Sequence, residues 1–111
     1  MLEKKIEEHG SKVAKERGVL HLKFTSPQRA SVPDRLVLAE IPEFLRPVIA
    51  QYVRFIEYKA EGKKPTPAQE REHARLRSMG FRVDVIDNKS DAESVIKEMG
   101  SEGTCLRGPY G

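Results

Sequence analysis

One short run, residues 53–59 (Val-Arg-Phe-Ile-Glu-Tyr-Lys), constrains the fold of this chain more than any other stretch. Its apolar residues predict a buried strand. Side chains alternate between the two faces of a strand, which places Phe55, Glu57 and Lys59 on one face. An acid and an amine inside an apolar strand are costly to desolvate unless they have polar partners. Other parts of the chain must therefore supply partners for Glu57 and Lys59.

Length and charge limit the class of protein. The chain has 111 residues, 33% of them charged, and a mean hydropathy of −0.58. This length predicts one domain, residues 1–99, followed by a flexible Gly-rich tail at 100–111. No apolar run reaches the roughly 18–20 residues of a membrane span, and the charged start is unlike an export signal. With Cys105 as the single cysteine, we expect a cytoplasmic protein.

Helical and extended patterns alternate along the chain and predict an α/β domain. We expect a mixed central β-sheet flanked by α-helices. The net charge of +3 permits a phosphate-rich partner without establishing one. The predicted helices cover 1–17, 66–80 and a short stretch opened by a capping box at 90–93, and the predicted strands cover 19–24, 32–38, 52–59 and 81–86.

The segment 39–51 connects two strands that would otherwise form a hairpin. Its two prolines exclude a continuous helix or a central strand. The segment is nevertheless apolar for a loop. We interpret it as a packed excursion that covers an edge of the core or contacts a second subunit.

Two acids of the first helix, Glu3 and Glu7, lie on one row with Gly10 and Ala14. Small residues on the same row predict that this face turns inward at the edge of the core. Either acid taken alone is also explained by the helix dipole, which favours negative charge in the first turn. Both interpretations remain open from the sequence.

Two further polar residues stand at the ends of predicted elements. Pro33 fixes the entry into the second strand and places Asp34 at its first residue. An Asp that follows Pro is also a common turn cap. Gln69 completes a capping box with Thr66, and on the predicted helix it shares a face with His73 and other residues. The cap alone would explain Gln69.

A hairpin-like connection predicts that the strands of Asp34 and Glu57 are neighbours. Two carboxylates that converge at one edge repel each other and need a cation. Oxygen ligands select a hard ion such as Mg²⁺ or Mn²⁺ rather than zinc. The histidines at 9, 21 and 73 follow no zinc-binding spacing, and there is no Gly-rich phosphate loop.

The order of these motifs resembles a known family. Val-Pro-Asp at 32–34, Phe-Ile-Glu-Tyr-Lys-Ala at 55–60 and Gly-Lys-Lys-Pro-Thr-Pro-Ala-Gln at 62–69 are similar to the PD-(D/E)XK nuclease superfamily. More narrowly, the chain resembles the stand-alone VRR-NUC domains of phages and bacteria, from Glu3 to about residue 98. The resemblance implies a restriction-endonuclease-like core. Two departures stand out: Ser31 replaces the glycine usual before Val-Pro-Asp, and the excursion replaces a short turn.

The resemblance also implies the roles of individual residues. Asp34 and Glu57 would ligate the metal, together with the main-chain carbonyl of Tyr58. Lys59 would orient the attacking water or stabilise charge on the phosphate, and Gln69 would position Lys59 or the water. The acid of the first helix in this family matches Glu3 best, with Glu7 as the reserve choice.

The activity implied by the resemblance is Mg²⁺- or Mn²⁺-dependent cleavage of DNA by a homodimer that prefers Holliday junctions or other branched DNA, in a bacterial or phage-infected cell. Alternatives are a non-catalytic nucleic-acid-binding module of the same fold, a less selective nuclease, and a sequence-specific restriction-type nuclease, for which 111 residues leave little room. Several basic side chains are candidates for phosphate contacts, although each is also explained as a solvated charge: Arg29, Arg35, Lys63, Lys64, Arg71 and Arg75.

Overall fold

The computed structural model describes residues 2–25 and 31–100. The chain divides into two compact units, residues 1–40 and 41–111. Each unit is described by itself. Arg29 and the tail beyond residue 100, both named in the sequence predictions, lie outside the described residues.

The first unit consists of a helix and an antiparallel strand pair. Helix α1 spans Glu3–Glu16, and the strands are β1 (Leu20–Lys23) and β2 (Arg35–Leu38). The pairing runs from Leu20 opposite Leu38 to Lys23 opposite Arg35. Helix α1 ends before Gly18, whose positive φ of 69° is the left-handed conformation that glycine adopts readily. The predicted end of this helix is confirmed.

The row of small residues on α1 faces the strands, as predicted. Ala14 is buried, and the backbone at Gly10 approaches the ring of His21 so closely that an added Cβ would lie 3.5 Å from Nε2. Ser11 Oγ lies 2.9 Å from Nδ1 of the same ring. Glu7, on the same row, contacts Arg35 of β2. The inward orientation of this row is therefore confirmed for its small residues and for Glu7.

The second unit contains a parallel strand pair with helices. A 3₁₀ turn (Glu43–Leu45) and the one-turn helix α2 (Arg46–Ile49) form the excursion, where prolines exclude anything longer. Strands β3 (Phe55–Tyr58) and β4 (Val83–Ile86) pair in parallel, with Glu57 opposite Val85. Helix α3 (Pro67–Ser78) connects them, and α4 (Lys89–Glu98) follows β4. A strand–helix–strand crossover of this kind is how parallel strands are joined.

The core of the second unit lies between α3 and β4. Leu76 of α3, Met79 just after that helix, and Val83 and Ile86 at the two ends of β4 are all buried. Phe81 packs edge-on against Phe55, with ring centroids 5.7 Å apart, a favourable aromatic arrangement. This pair fixes the start of β3, so the polar residues that follow extend from an anchored strand. Ile41 of the excursion is also buried, whereas Phe44 is exposed.

The α/β class is confirmed, with antiparallel and parallel pairing each present in a two-stranded sheet. The single mixed sheet, the adjacency of β2 and β3, the restriction-endonuclease-like core and the single domain stay predictions. None of the helices in the described part of the chain combines the length and apolar character that a membrane span requires.

Two local predictions were wrong in detail. The last helix is capped by Asn88, whose side chain accepts a hydrogen bond from Asp91 N–H at 2.8 Å, rather than by Ser90. Asn88 stands three residues before that N–H, which is the spacing that an N-cap needs. Asp34 lies just before β2 rather than at its first residue, although its carbonyl accepts a hydrogen bond from Phe24 N–H at 2.9 Å.

Ser31 has a positive φ of 71° and is the one non-glycine residue of this kind in the described chain. A left-handed backbone crowds the Cβ of an ordinary residue, whereas glycine adopts it at little cost. This is the position at which the resemblance described above implies a glycine. The conformation therefore gives a physical reason for a glycine there.

Replacing Ser31 by glycine should stabilise the protein. The strain removed is about 1 kcal/mol, partly offset by the greater freedom of glycine in the unfolded chain. We expect a gain of about 0.5 kcal/mol in the free energy of unfolding, measured by urea denaturation. Ser78→Gly is the matched control, because Ser78 is helical and the same change there should destabilise. Equal destabilisation by both changes would contradict this explanation.

Candidate active site

In the first unit, the predicted acids line one cavity. Glu3, Glu7 and Asp34 share a cavity of about 200 Å³ that is also lined by Lys23. Asp34 and Glu3 are exposed, and Glu7 is half-buried. The structure thus brings both candidate acids of α1 to the same cavity as Asp34.

The two helix acids differ in their partners. The Glu7 carboxylate accepts a hydrogen bond from Arg35 Nε at 2.5 Å. This hydrogen bond and the positive charge of Arg35 lower the pKa of Glu7 below its ordinary value. Arg35 also donates to the carbonyl of His21 at 3.4 Å. Arg35, a predicted phosphate contact, is therefore engaged between α1 and the strands, and Glu7 is engaged with it.

In the second unit, the site is built around Glu57 in the middle of β3. Its side chain is 28% exposed, so the carboxylate reaches the surface without being fully solvated. Gln69 Nε2 donates to Oε2 at 3.2 Å, and His73 Nε2 lies 3.2 Å from Oε1. Each carboxylate oxygen therefore has one partner on α3. These groups line a cavity of about 200 Å³ that also includes Ile56 and Glu72.

Gln69 reaches Glu57 because the start of α3 holds its side chain. Thr66 Oγ1 accepts from Gln69 N–H at 3.2 Å, and Gln69 Oε1 accepts from Thr66 N–H at 3.0 Å. This is the predicted capping box, and it is confirmed. Because the amide oxygen accepts from Thr66 N–H, the amide nitrogen is directed at the carboxylate. In a flipped amide, the oxygen would face the carboxylate oxygen of Glu57 and the nitrogen would face the N–H of Thr66, so neither hydrogen bond could form. The cap and the contact with Glu57 are therefore compatible. Positioning of Lys59 or a water by Gln69 stays a prediction.

His73 is the residue that sequence reasoning missed. It lies one turn after Gln69 on α3, and the shared helix face was recognised, but no role was assigned to the ring. Only 6% of the residue is exposed. The signal that was available is the four-residue spacing from Gln69. What the sequence did not provide was the contact with Glu57, which depends on how α3 packs on β3.

Lys59 and the carbonyl of Tyr58 follow Glu57 at the end of the strand. The backbone N–H of Phe55 donates to the carbonyl of Arg82, just before β4, and that of Lys59 donates to the carbonyl of Ile86 in β4, at 2.9 Å each. Alternate residues of a parallel strand bond to opposite sides, so the carbonyl of Tyr58 points away from β4. The half-buried Lys59 lies on the same strand face as Glu57. The roles of both groups stay predictions.

The basic turn after β3 is exposed and well defined. Lys63 and Lys64 are both exposed, and Lys63 N–H closes the turn by donating to Ala60. Gly62 N–H donates to the Asp87 carboxylate at 3.1 Å. The hydrogen bond from Asn88 and then that from Gly62 lower the pKa of Asp87. The two lysines are thus presented to solvent by a turn tied to the end of β4.

The predicted metal ligands are two carboxylates and one main-chain carbonyl. Among residues 2–25 and 31–100, no three or more His, Cys, Asp and Glu side chains group closely enough to hold a metal ion by themselves. The predicted set contains only two such side chains, Asp34 and Glu57, one in each unit. Their joint ligation of an ion stays a prediction.

Glu7 should make stability depend on pH. Because its pKa is lower in the folded than in the unfolded chain, its contribution is complete above the ordinary carboxyl pKa and is lost as the pH falls through the lowered value. Urea denaturation should therefore show that Glu7→Gln costs stability at neutral pH and progressively less in acid. Added salt should shrink the difference, because the pair is partly exposed. Glu8→Gln on the same helix is the control, and an identical pH profile for both variants would contradict the role of Arg35.

Comparison with known proteins identifies one informative relative. The chain is 40% identical over 94 residues to a protein of Acyrthosiphon pisum secondary endosymbiont phage 1 named "Putative nuclease p44". The alignment covers 85% of this chain and 90% of the phage protein. No protein-family model matches the chain, and no solved structure matches it. With this identity over most of both sequences, the chain belongs to the family of the phage p44 protein.

Proposed function

We propose that this protein is a Mg²⁺- or Mn²⁺-dependent DNA endonuclease of the VRR-NUC type within the PD-(D/E)XK superfamily. The observation that carries the proposal is the Glu57 carboxylate, partly exposed on β3, held at both oxygens by α3 and followed on the same face by Lys59. The name of the phage relative supports a nuclease. The order of Asp34, Glu57, Lys59 and Gln69 supports the narrower assignment.

The donor groups fit a hard cation. Asp34, Glu57 and the Tyr58 carbonyl offer only oxygen, which suits Mg²⁺ or Mn²⁺. A carboxylate has about four acceptor positions, and the two hydrogen bonds to Glu57 leave about two for a metal ion. The carbonyl of Tyr58 is directed away from the β4 ladder. These residues would together hold the ion.

In this mechanism, phosphodiester hydrolysis forms a bond between a water oxygen and phosphorus and breaks one ester bond of the DNA backbone. When bound, the metal ion supplies Lewis-acid polarisation of the phosphate and activation of water. Lys59 places an ammonium group next to the site, where it orients the water or balances charge on the phosphate. Glu3, exposed in the cavity of Asp34, is the better candidate for the helix-one acid, because Glu7 is occupied by Arg35.

The substrate that we propose is branched DNA, cut by a homodimer. Two-fold symmetric dimers suit paired cuts in two strands. Exposed apolar side chains of the excursion, such as Phe44 and Val48, support a subunit contact there. Lys63 and Lys64 would follow the phosphate backbone. Arg35 is a weaker candidate because of its bond to Glu7.

Lys59→Ala should abolish cleavage of a four-way DNA junction in Mg²⁺ while leaving DNA binding largely intact. In this proposal, Lys59 acts on the reacting phosphate and makes only a small share of the contacts with the DNA backbone. The measurements are cleavage by gel electrophoresis and binding by fluorescence anisotropy without divalent metal. We expect a loss of at least about a hundredfold in rate, about 2.7 kcal/mol.

Lys89→Ala is the matched control for this experiment. It removes the same charge from an exposed position at the start of α4 and should cleave like the wild type. If Lys59→Ala also cleaves like the wild type, the assignment of the active site is wrong. If the wild type binds DNA but never cleaves it in Mg²⁺ or Mn²⁺, the non-catalytic module is the correct alternative.

Structure selectivity can be tested with four substrates that share one sequence: a four-way junction, a flap, a duplex and a single strand. We expect cleavage of the junction to be faster than that of the duplex by at least about tenfold. Sedimentation should give twice the chain mass of 12.6 kDa. Equal rates on all four substrates would indicate the less selective nuclease, and a monomer that still makes paired cuts would contradict the dimer.

A further inference from the structure

The buried imidazole of His73 has no part in the mechanism above, yet it contacts the central carboxylate. The residue is 6% exposed and is the one polar residue buried to this degree in the described chain. Its Nε2 lies 3.2 Å from Glu57 Oε1. Burying a polar ring is costly unless it is hydrogen-bonded. The contact with Glu57 therefore offsets the burial of His73, and it also constrains Glu57.

The constraint on Glu57 comes from two donors that act at different oxygens. Gln69 holds Oε2 and His73 holds Oε1, each at 3.2 Å. One hydrogen bond would leave the carboxylate able to rotate about its last torsion, which is a soft one. Two donors on one rigid helix fix both the position and the plane of the carboxylate. The unused lone pairs then point in defined directions.

Helix α3 is suited to hold the two donors at a fixed spacing. Residues four apart on a helix lie one above the other on the same face. The capping box fixes the first turn, which carries Gln69, and burial of Leu76 fixes the next turns, which carry His73. The two donors are therefore set by the helix rather than by flexible loops.

We propose that His73 is a positioning residue that, with Gln69, orients the Glu57 carboxylate for metal binding. This inference rests on the proposed function, because it needs Glu57 to be a metal ligand. It assigns no contact between His73 and the metal, DNA or the attacking water. Groups that orient a metal ligand are usually worth about 10- to 100-fold in metal affinity or activity.

The test compares three substitutions in the full chain. His73→Leu removes the donor and fills a similar volume, and His73→Met does the same with a more adaptable side chain in case Leu prevents folding. His73→Gln keeps an amide N–H that can take the place of Nε2. Glu70→Gln is the control, because Glu70 is exposed on the same helix and does not line this cavity.

The first readout needs neither DNA nor turnover. Mn²⁺ binding is measured by electron paramagnetic resonance of the unbound ion, and urea denaturation checks that each variant is folded. We expect His73→Leu or His73→Met to raise the Mn²⁺ dissociation constant about 10- to 100-fold. His73→Gln should restore most of the affinity, and Glu70→Gln should bind like the wild type.

The second readout separates positioning from general structural damage. At fixed Mn²⁺ and with the concentration of junction DNA varied, His73→Leu or His73→Met should lower kcat with little change in KM for DNA. High Mn²⁺ should recover part of the lost kcat, because a misoriented ligand weakens binding of the ion rather than removing it. A variant that is merely unfolded in part would lose active molecules without this dependence on Mn²⁺.

Failure of this inference and failure of the proposed function are distinguishable. If a folded His73→Leu or His73→Met variant keeps wild-type Mn²⁺ affinity and kcat, the positioning role is wrong and the proposed nuclease is unaffected. If the variant loses only stability, His73 serves the fold alone and the inference is overturned. If the wild type itself neither binds Mn²⁺ nor cleaves DNA, the proposed function fails and the inference fails with it.

Discussion

The second unit depends on one side chain that makes two hydrogen bonds at once. Gln69 Oε1 accepts from Thr66 N–H and closes the start of α3, while its Nε2 donates to Glu57 on β3. The same amide therefore begins a helix and attaches it to the strand. A cap of this kind contributes about 1 kcal/mol to a helix. Here the cap also fixes the position of Gln69 Nε2, which donates to the Glu57 carboxylate.

Strand β3 is anchored by contacts other than those of the candidate site residues that it carries. The edge-on packing of Phe55 on Phe81 secures the start of β3, and the parallel ladder to β4 continues to Lys59 N–H. Glu57 and Lys59 are therefore carried by a strand with an anchored start and a bonded end. Side chains on such elements are held more precisely than side chains on loops, which suits the proposed roles of Glu57 as a metal ligand and Lys59 as a charged group.

The sequence predicted the features that depend on local signals. The capping box at Thr66, the end of the first helix near residue 17 and the order of helices and strands follow from residue types at fixed spacings, and the structure confirms them. The role of Asn88 was missed because two overlapping sets of capping residues occur there, and only the folded geometry chooses between them. The contact of His73 with Glu57 was not predictable, since it depends on packing between distant segments. The proposed sharing of a metal ion by Asp34 and Glu57 would depend on distant segments in the same way.

The ion pair of Glu7 with Arg35 changes how the first unit is interpreted. From the sequence, Glu7 was a reserve catalytic acid and Arg35 a phosphate contact. Their hydrogen bond satisfies each charge with the other, and moving either to a new partner would leave the other unpaired in a half-buried place. The pair is therefore better suited to hold α1 against β2. That leaves Glu3 as the acid accessible beside Asp34, and it shifts the expected phosphate contacts to the exposed turn at Lys63 and Lys64.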